Sequence, residues 1–561
     1  MVAHALAEQL RKKHPSIQVA VTGSIPLIYA MMETAQRDAI TLVPIMYLVL
    51  LVAMFLFLRS LRAVLALLVM VGLAAATAMG AAGWLGIPLS PPMGSATTII
   101  LTIAVADGVH ILVILADYMR NGMDRRAAMI ESLAVNWQPA LLTTVTTIIG
   151  FMSLNFAGIP PFHDLGNVAA IGVGAAWVLA VTLLPAFIAI VPYKVRPRGR
   201  TRNLSMDSFA EWLIRYRRRI LPTTVGFSVL CAAFIPLIEF DDSFIEFFDK
   251  FVPFRADSEF AIENISGIYQ LHFSLGAGQD GGVSDPKFLA AVDDFAVWLR
   301  SQPEVDHVAS LSDIMKRLNR NMHGDEPDFY RLPENQALAA QYLLLYEMSL
   351  PYGLDLNNQI DIHKSATRVT ATVKNLSATE LRAVNDRAVA WFEANAEPSM
   401  HGSAASAAFM LANLSRRSID SKVRGTSIAF GLIALILMFS LHSLRIGLLS
   451  LVPNIVAIVI AYGSWALLVG KIGMIFAIVT ASSLGIIVDA TVHFMSKYMR
   501  ARRVERATHE DAVRYAMATV GTALLTTFLI LSKRSDSIDL RTFDPSGTIS
   551  YFVFKALNRS P

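Results

Sequence analysis

The chain has 561 residues, 54% of them hydrophobic and only 16% charged, with a mean hydropathy of +0.50. Such a composition is too apolar for a soluble protein of this size and fits a polytopic membrane protein that also carries a soluble domain. The net charge of +4 is gathered in particular loops and makes no case for nucleic acid, and the single cysteine, Cys231, excludes an intrachain disulfide framework.

Residues 1–39 are polar: a short helix over Ala3–Lys13, a β-like run over Ile17–Val21, then Thr22-Gly23. Met1–Pro15 lacks the apolar core of a signal peptide. Apolar runs of bilayer length follow at 40–58, 63–86, 97–119, 139–157 and 164–191, a sixth at 220–238, and four more at 426–441, 445–469, 474–499 and 517–532. Basic residues fall on alternate loops: Arg59 and Arg62; Arg120, Arg125 and Arg126; the cluster from Lys194 to Arg219; and Lys497 to Arg506. The loops Gly86–Ala96 and Ala157–Phe162 carry no Lys or Arg, and Lys471 is the small exception. By the positive-inside rule the basic loops are cytoplasmic and 239–420 lies outside the cytoplasm. The arginine cluster before the sixth span reads as a topology determinant, with an anionic-lipid site as the alternative.

The region 239–420 is soluble in character and mixed α/β. Tyr269–Leu275 alternates as a half-buried strand. Asp285-Pro286 opens a helix as N-cap and first-turn proline, with Phe288, Leu289, Val292, Phe295 and Leu299 on its apolar stripe. Arg368–Lys374 forms a second strand, and Ser377 with Glu380 makes a capping box for the next helix. Strand–helix–strand units of this kind point to a ferredoxin-like split βαβ.

The spans 97–119 and 474–499 each carry an acid and a histidine near mid-membrane. Asp107 and His110 stand three apart, Asp489 and His493 four apart, so each pair shares a helix face. A carboxylate at that depth costs about 2.5–3.5 kcal/mol on insertion scales, so it usually has a task or a partner. One offset separates His110 from His493 and Thr143 from Thr526, within Ala-Leu-Leu-Thr-Thr at 140–144 and 523–527. Phe57–Arg62 likewise echoes Phe439–Arg445. Two copies in one orientation form a parallel repeat, a common transporter plan.

At these residues the chain resembles the RND (resistance–nodulation–division) superfamily, specifically its MMPL-type exporters. Ala106-Asp-Gly-Val-His110, Val488-Asp-Ala-Thr-Val-His493, Leu141–Phe151 and Ile159–Gly166 carry the likeness, with Gln302–Val305 and Ser310–Asn319 in the soluble part. The resemblance implies membrane helices in two repeats, extracytoplasmic porter domains, export driven by the proton gradient, and kinship of the membrane half to sterol-sensing domains. It departs from the multidrug branch, which pairs carboxylates on one helix opposite a lysine: each half here has one Asp.

The expected plan is a remnant of the first porter domain over 1–39 and a first membrane repeat over 40–191. A basic cytoplasmic linker (192–219), a span (220–238) and an extracytoplasmic porter domain (239–420) follow. A truncated second repeat (421–532) and an unrelated polar tail (533–561) complete it, so the chain reads as incomplete relative to the family. The fold class is a polytopic α-helical membrane protein of about ten spans with a ferredoxin-like porter domain.

The reading of function is proton-motive-force-driven export of a hydrophobic or lipid-like substrate from a bacterial inner membrane. Asp107, His110, Asp489 and His493 form the proton relay. Thr143, Thr144, Thr526 and Thr527 either hydrogen-bond the carboxylates from adjacent helices or simply pack there. Two alternatives are a lipid-binding module related to sterol-sensing domains and an inactive remnant of the exporter. Nucleotide-binding, metal-binding and nucleophile motifs are missing from the sequence, so neither a cofactor, a resident metal nor an enzymatic activity is expected. Expected partners are the substrate and membrane lipids; the family resemblance leaves homo-oligomers and periplasmic adaptors open.

Overall fold

The computed structural model describes residues 2–191, 204–240, 245, 248, 252–351, 355–473, 476–504, 506–522 and 524–525. The chain opens with α1 (Val2–Lys13) and the long α2 (Ser24–Leu58), then α3 (Leu61–Trp84), α4 (Pro91–Arg120), α5 (Arg125–Met152), α6 (Pro160–Val181) and the short α7 (Leu183–Ile190). Helix α8 (Leu204–Phe234) and β1 (Glu239–Phe240) lead to α9 (Pro253–Asn264), β2 (Tyr269–Gly276), α10 (Pro286–Arg300) and β3 (Val305–Ala309). After these come α11 (Leu311–Met322), α12 (Gln336–Ser349), β4 (Ala366–Val373) and α13 (Ala378–Asn395). Then follow α14 (Ala407–Ser440), α15 (Leu444–Leu468), β5 (Lys471–Ile472), α16 (Phe476–Arg503) and α17 (His509–Ala516). Two compact units result, one of 1–31 with 241–416, the other of 32–240 with 417–561.

The second unit is the membrane unit. Six of its helical segments are long and apolar enough to cross a bilayer, among the described residues: Leu61–Trp84, Pro92–Arg120, Arg125–Phe156, Pro160–Ile190, Met206–Leu237 and Leu444–Leu468. Together they make this a multi-pass helical membrane protein. Local chemistry sets where the helices start. Prolines 91 and 92 occupy the first turn of α4, where a missing N–H costs nothing, and Asp124 caps α5 by accepting from the Arg126 N–H.

The echo between Phe57–Arg62 and Phe439–Arg445 is structural as well. Ser60 and Ser443 both cap the next helix, accepting from Ala63 N–H and Ile446 N–H. The residue before each cap takes a left-handed conformation, Arg59 at φ 49° and His442 at φ 48°. Both cost local strain at a non-glycine residue, so the same tight turn has been kept in both places.

Two expectations shift here. Ile17–Val21 forms no strand; this stretch is a loop, and Arg11 donates to the Val19 carbonyl from α1. Leu204–Arg219, read from its charges as a linker, is helical and continuous with the apolar part of α8. Arg and Leu are good helix formers, so the polar stretch propagates the helix it adjoins.

In the first unit the sheet order is β2-β4-β3, with β4 antiparallel to both neighbours. Strands β2 and β3 therefore run parallel, one on each side of β4, with α10 crossing between them. The alternation expected for Tyr269–Leu275 puts Tyr269, Leu271, Phe273 and Leu275 inside, and Val369, Ala371 and Val373 of β4 join them. Phe273 meets Phe295 of α10 edge-on at 5.2 Å, and Phe295 meets Phe392 of α13 at 4.3 Å. All three are fully buried, each contributing about 1.5–3 kcal/mol by burial. The capping box at Ser377 and Glu380 is formed, which orients α13 onto this core.

Candidate functional site

The site lies in the membrane unit, where α5 packs against both α4 and α16. Close approach needs small residues. At Gly108 a Cβ would collide with the Leu67 side chain of α3, and at Gly485 it would stand 2.9 Å from Thr147 of α5. These glycines bring α4 and α16 into the interior with their acid–histidine faces inward.

Asp107 and His110 are buried on α4, and His493 is fully buried on α16. The His110 and His493 rings stack across the two helices, with centroids 4.0 Å apart and planes 6° from parallel. Asp489 Oδ1 approaches His493 Nε2 at 3.5 Å, and Asp107 and Asp489 are close enough to repel one another when charged. Three of the four expected relay residues, His110, Asp489 and His493, hold their donor atoms within 4.8 Å of each other. All four ring nitrogens lack a hydrogen-bond partner among the described residues. That is unusual for buried polar atoms.

The donor set of two imidazoles and a carboxylate raises the question of a metal. An ion bound at about 2.0–2.1 Å lies in the plane of each imidazole that ligates it. The two rings here lie face to face in nearly parallel planes, so no point within ligating distance of both rings lies in both planes. The geometry does not fit a shared metal ion.

The supporting threonines are buried on α5. Thr143 Oγ1 donates to the Ala140 carbonyl at 3.0 Å, and its hydroxyl also lies beside the Asp489 carboxyl. The Thr144 hydroxyl, expected as a possible partner for a carboxylate, makes no hydrogen bond among the described residues. Thr526 and Thr527 lie outside the described residues.

Lys497 was grouped by sequence with the surface arginines that follow it, and this is corrected. It is 1% exposed and donates from Nζ to the Val135 carbonyl of α5 at 2.6 Å. Asp489, His493 and Lys497 stand at successive four-residue steps, one stripe along α16. That spacing was the signal available in the sequence; the adjoining Arg500, Arg502 and Arg503 hid it. The stripe is flanked by neutral polar groups that sequence reasoning also missed. Ser132 Oγ donates to the Ile111 carbonyl at 2.7 Å, tying α5 to α4, and Thr491 donates to Asn454 Oδ1 at 2.7 Å, tying α16 to α15.

Fold and site together define a multi-pass helical membrane protein with two carboxyls, two stacked imidazoles and an ammonium enclosed among its spans. The MMPL family model matches residues 2–223. The chain is 27% identical over 183 residues to the membrane protein MJ1562 of Methanocaldococcus jannaschii, covering 33% of this chain and 47% of that one. It is 26% identical over 230 residues to the siderophore exporter MmpL5 of Mycobacterium tuberculosis, covering 40% of this chain and 24% of that one. The cryo-EM structure of the hedgehog release protein Disp from water bear (Hypsibius dujardini) shares the fold, with a TM-score of 0.62 at 17% identity over 93% of this chain and 69% of that chain. Over residues 2–223 the chain is similar to the MMPL family; its matches span less than half the length of either of these two sequence relatives.

Proposed function

We propose that the protein takes part in proton-driven export of a hydrophobic or lipid-like molecule from a bacterial inner membrane, with Asp107 and Asp489 as alternating proton carriers. The observation that carries this reading is the stacked His110–His493 pair, one ring from α4 and one from α16, each with a carboxyl on the same helix face, Asp107 buried and Asp489 partly buried. Two carboxyls facing each other away from water cannot both be charged at low cost, so their protonation is coupled. The imidazoles, with unpartnered nitrogens, can pass a proton between them. Lys497 extends the same stripe toward the basic end of α16 and supplies a counter-charge there. MmpL5 is an exporter by name and Disp a release protein, which supports the transport reading.

In the same reading the loop charges orient the membrane unit with its basic loops in the cytoplasm, on a plan of about ten spans. The 239–420 region is then an extracytoplasmic porter domain of ferredoxin-like type, and its β2-α10-β3 crossover around β4 supports that assignment.

The test is proton flux into pyranine-loaded proteoliposomes under an imposed pH gradient. Asp107→Asn and Asp489→Asn should each lower the flux by roughly 10²-fold, the scale of a lost proton-transfer group, and Lys497→Met should lower it less. Full flux in Asp107→Asn would overturn the proposal.

A further inference from the structure

Helix α8 is 31 residues long, about 46 Å at 1.5 Å per residue, and outreaches a hydrocarbon core of about 30 Å. Its apolar part lies within Ile220–Phe234, and the four arginines at 215 and 217–219 stand where that part begins. Only 11% of its most apolar window is buried in the fold, against 78% for α4. One side of α8 packs on α15 and α17 through Ala210, Ser228 and Cys231. The opposite side is exposed and continuous along the helix.

On that exposed side the membrane part presents Phe227 and Leu230. Along the same stripe the polar part presents Phe209, stacked on Trp212 with centroids 5.8 Å apart, and Tyr216, tilted against Trp212 at 6.0 Å. An aromatic ladder at the end of an apolar stripe is the arrangement that sits at headgroup level. Arg217 pairs with Glu510 at 2.6 Å. Arg215 and Arg219 are exposed, three residues after Trp212 and Tyr216 respectively, and Arg215 also lies near Glu211.

We propose that this face of α8 binds an anionic phospholipid. Arg215 and Arg219 take the phosphate-bearing headgroup, Trp212 and Tyr216 flank the headgroup on the side away from the acyl chains, and an acyl chain follows Phe227 and Leu230. Guanidinium groups recognise phosphate through paired N–H donors, and their position beside an aromatic ladder separates this site from loop charge that only sets topology. The site is independent of the Asp–His cluster and of any transport.

The test uses the full chain in nanodiscs containing a minor fraction of either brominated phosphatidylglycerol or brominated phosphatidylcholine. The difference in quenching between the wild type and Trp212→Phe isolates Trp212. Phosphatidylglycerol should quench Trp212 several-fold more than phosphatidylcholine. Arg215→Gln with Arg219→Gln should abolish that preference while leaving phosphatidylcholine quenching unchanged, which also reports an intact fold. Equal quenching by both lipids in the wild type would overturn the proposal, as would quenching by neither, the result if a protein surface or a second copy covers this face.

Discussion

A histidine in the first unit offers a cleaner pH handle than the cluster on α4 and α16. His272 sits on β2, where its Nδ1 lies 3.1 Å from Thr370 Oγ1 on the paired strand. Burial, and then the Arg368 charge, hold its pKa below the ordinary value of 6.5. The unfolded chain therefore binds more protons than the folded one just below pH 6.5. Stability rises with pH through that window and is lost on acidification toward the depressed folded value. His272→Gln should flatten the fall in melting temperature between about pH 7 and about pH 5, the range that spans an ordinary imidazole titration. An unchanged slope would assign the acid sensitivity elsewhere. At the same scale, the inward stripe of Asp489, His493 and Lys497 was legible only in part. The acid and the histidine stand out in an apolar run, whereas a lysine followed by three arginines looks like any helix end.

At the scale of elements, glycines decide which helices meet. A Cβ at Gly463 of α15 would collide with the Cys231 carbonyl oxygen of α8, and backbone cannot step aside as a side-chain tip can. Gly463→Ala should cost about 1–3 kcal/mol, the usual range for overpacking, read as a lowered melting temperature of the purified protein. No change would mean that α8 and α15 are held apart from this contact. At Gly166 of α6 the Phe151 carbonyl would stand 2.5 Å from an added Cβ, so α5 and α6 rest on the same device. Elements with strong local signals, such as the capping box of α13 and the alternation of β2, were readable from sequence. Strand β3 was not: most of its side chains are exposed and a bulge between Val305 and His307 breaks its period. Such an edge strand owes its existence to pairing with β4, a partner more than sixty residues along the chain.

For the whole molecule, the proposed orientation can be tested directly. Cys231 is the only cysteine and is 5% exposed, so an impermeant maleimide should report on introduced cysteines with little background. Asn121→Cys, in a basic loop, should be labelled only from the cytoplasmic side, and Asp280→Cys only from the opposite side. Labelling of both from one side would sink the orientation.

Hydropathy, loop charge and the paired acid–histidine motifs are properties of local sequence, and they were enough to identify a multi-pass membrane protein with polar residues at depth and its likeness to the MMPL family. They also located the repeated turn before Ser60 and Ser443, because a cap and its helix are neighbours in the chain. What they could not decide is which polar groups touch. The stack of His110 on His493, the bond from Lys497 to the α5 backbone and the pairing of Arg217 with Glu510 each join residues on separate helices. Helix periodicity says which residues share a face; only packing, set by where glycine permits two helices to close, says what that face meets.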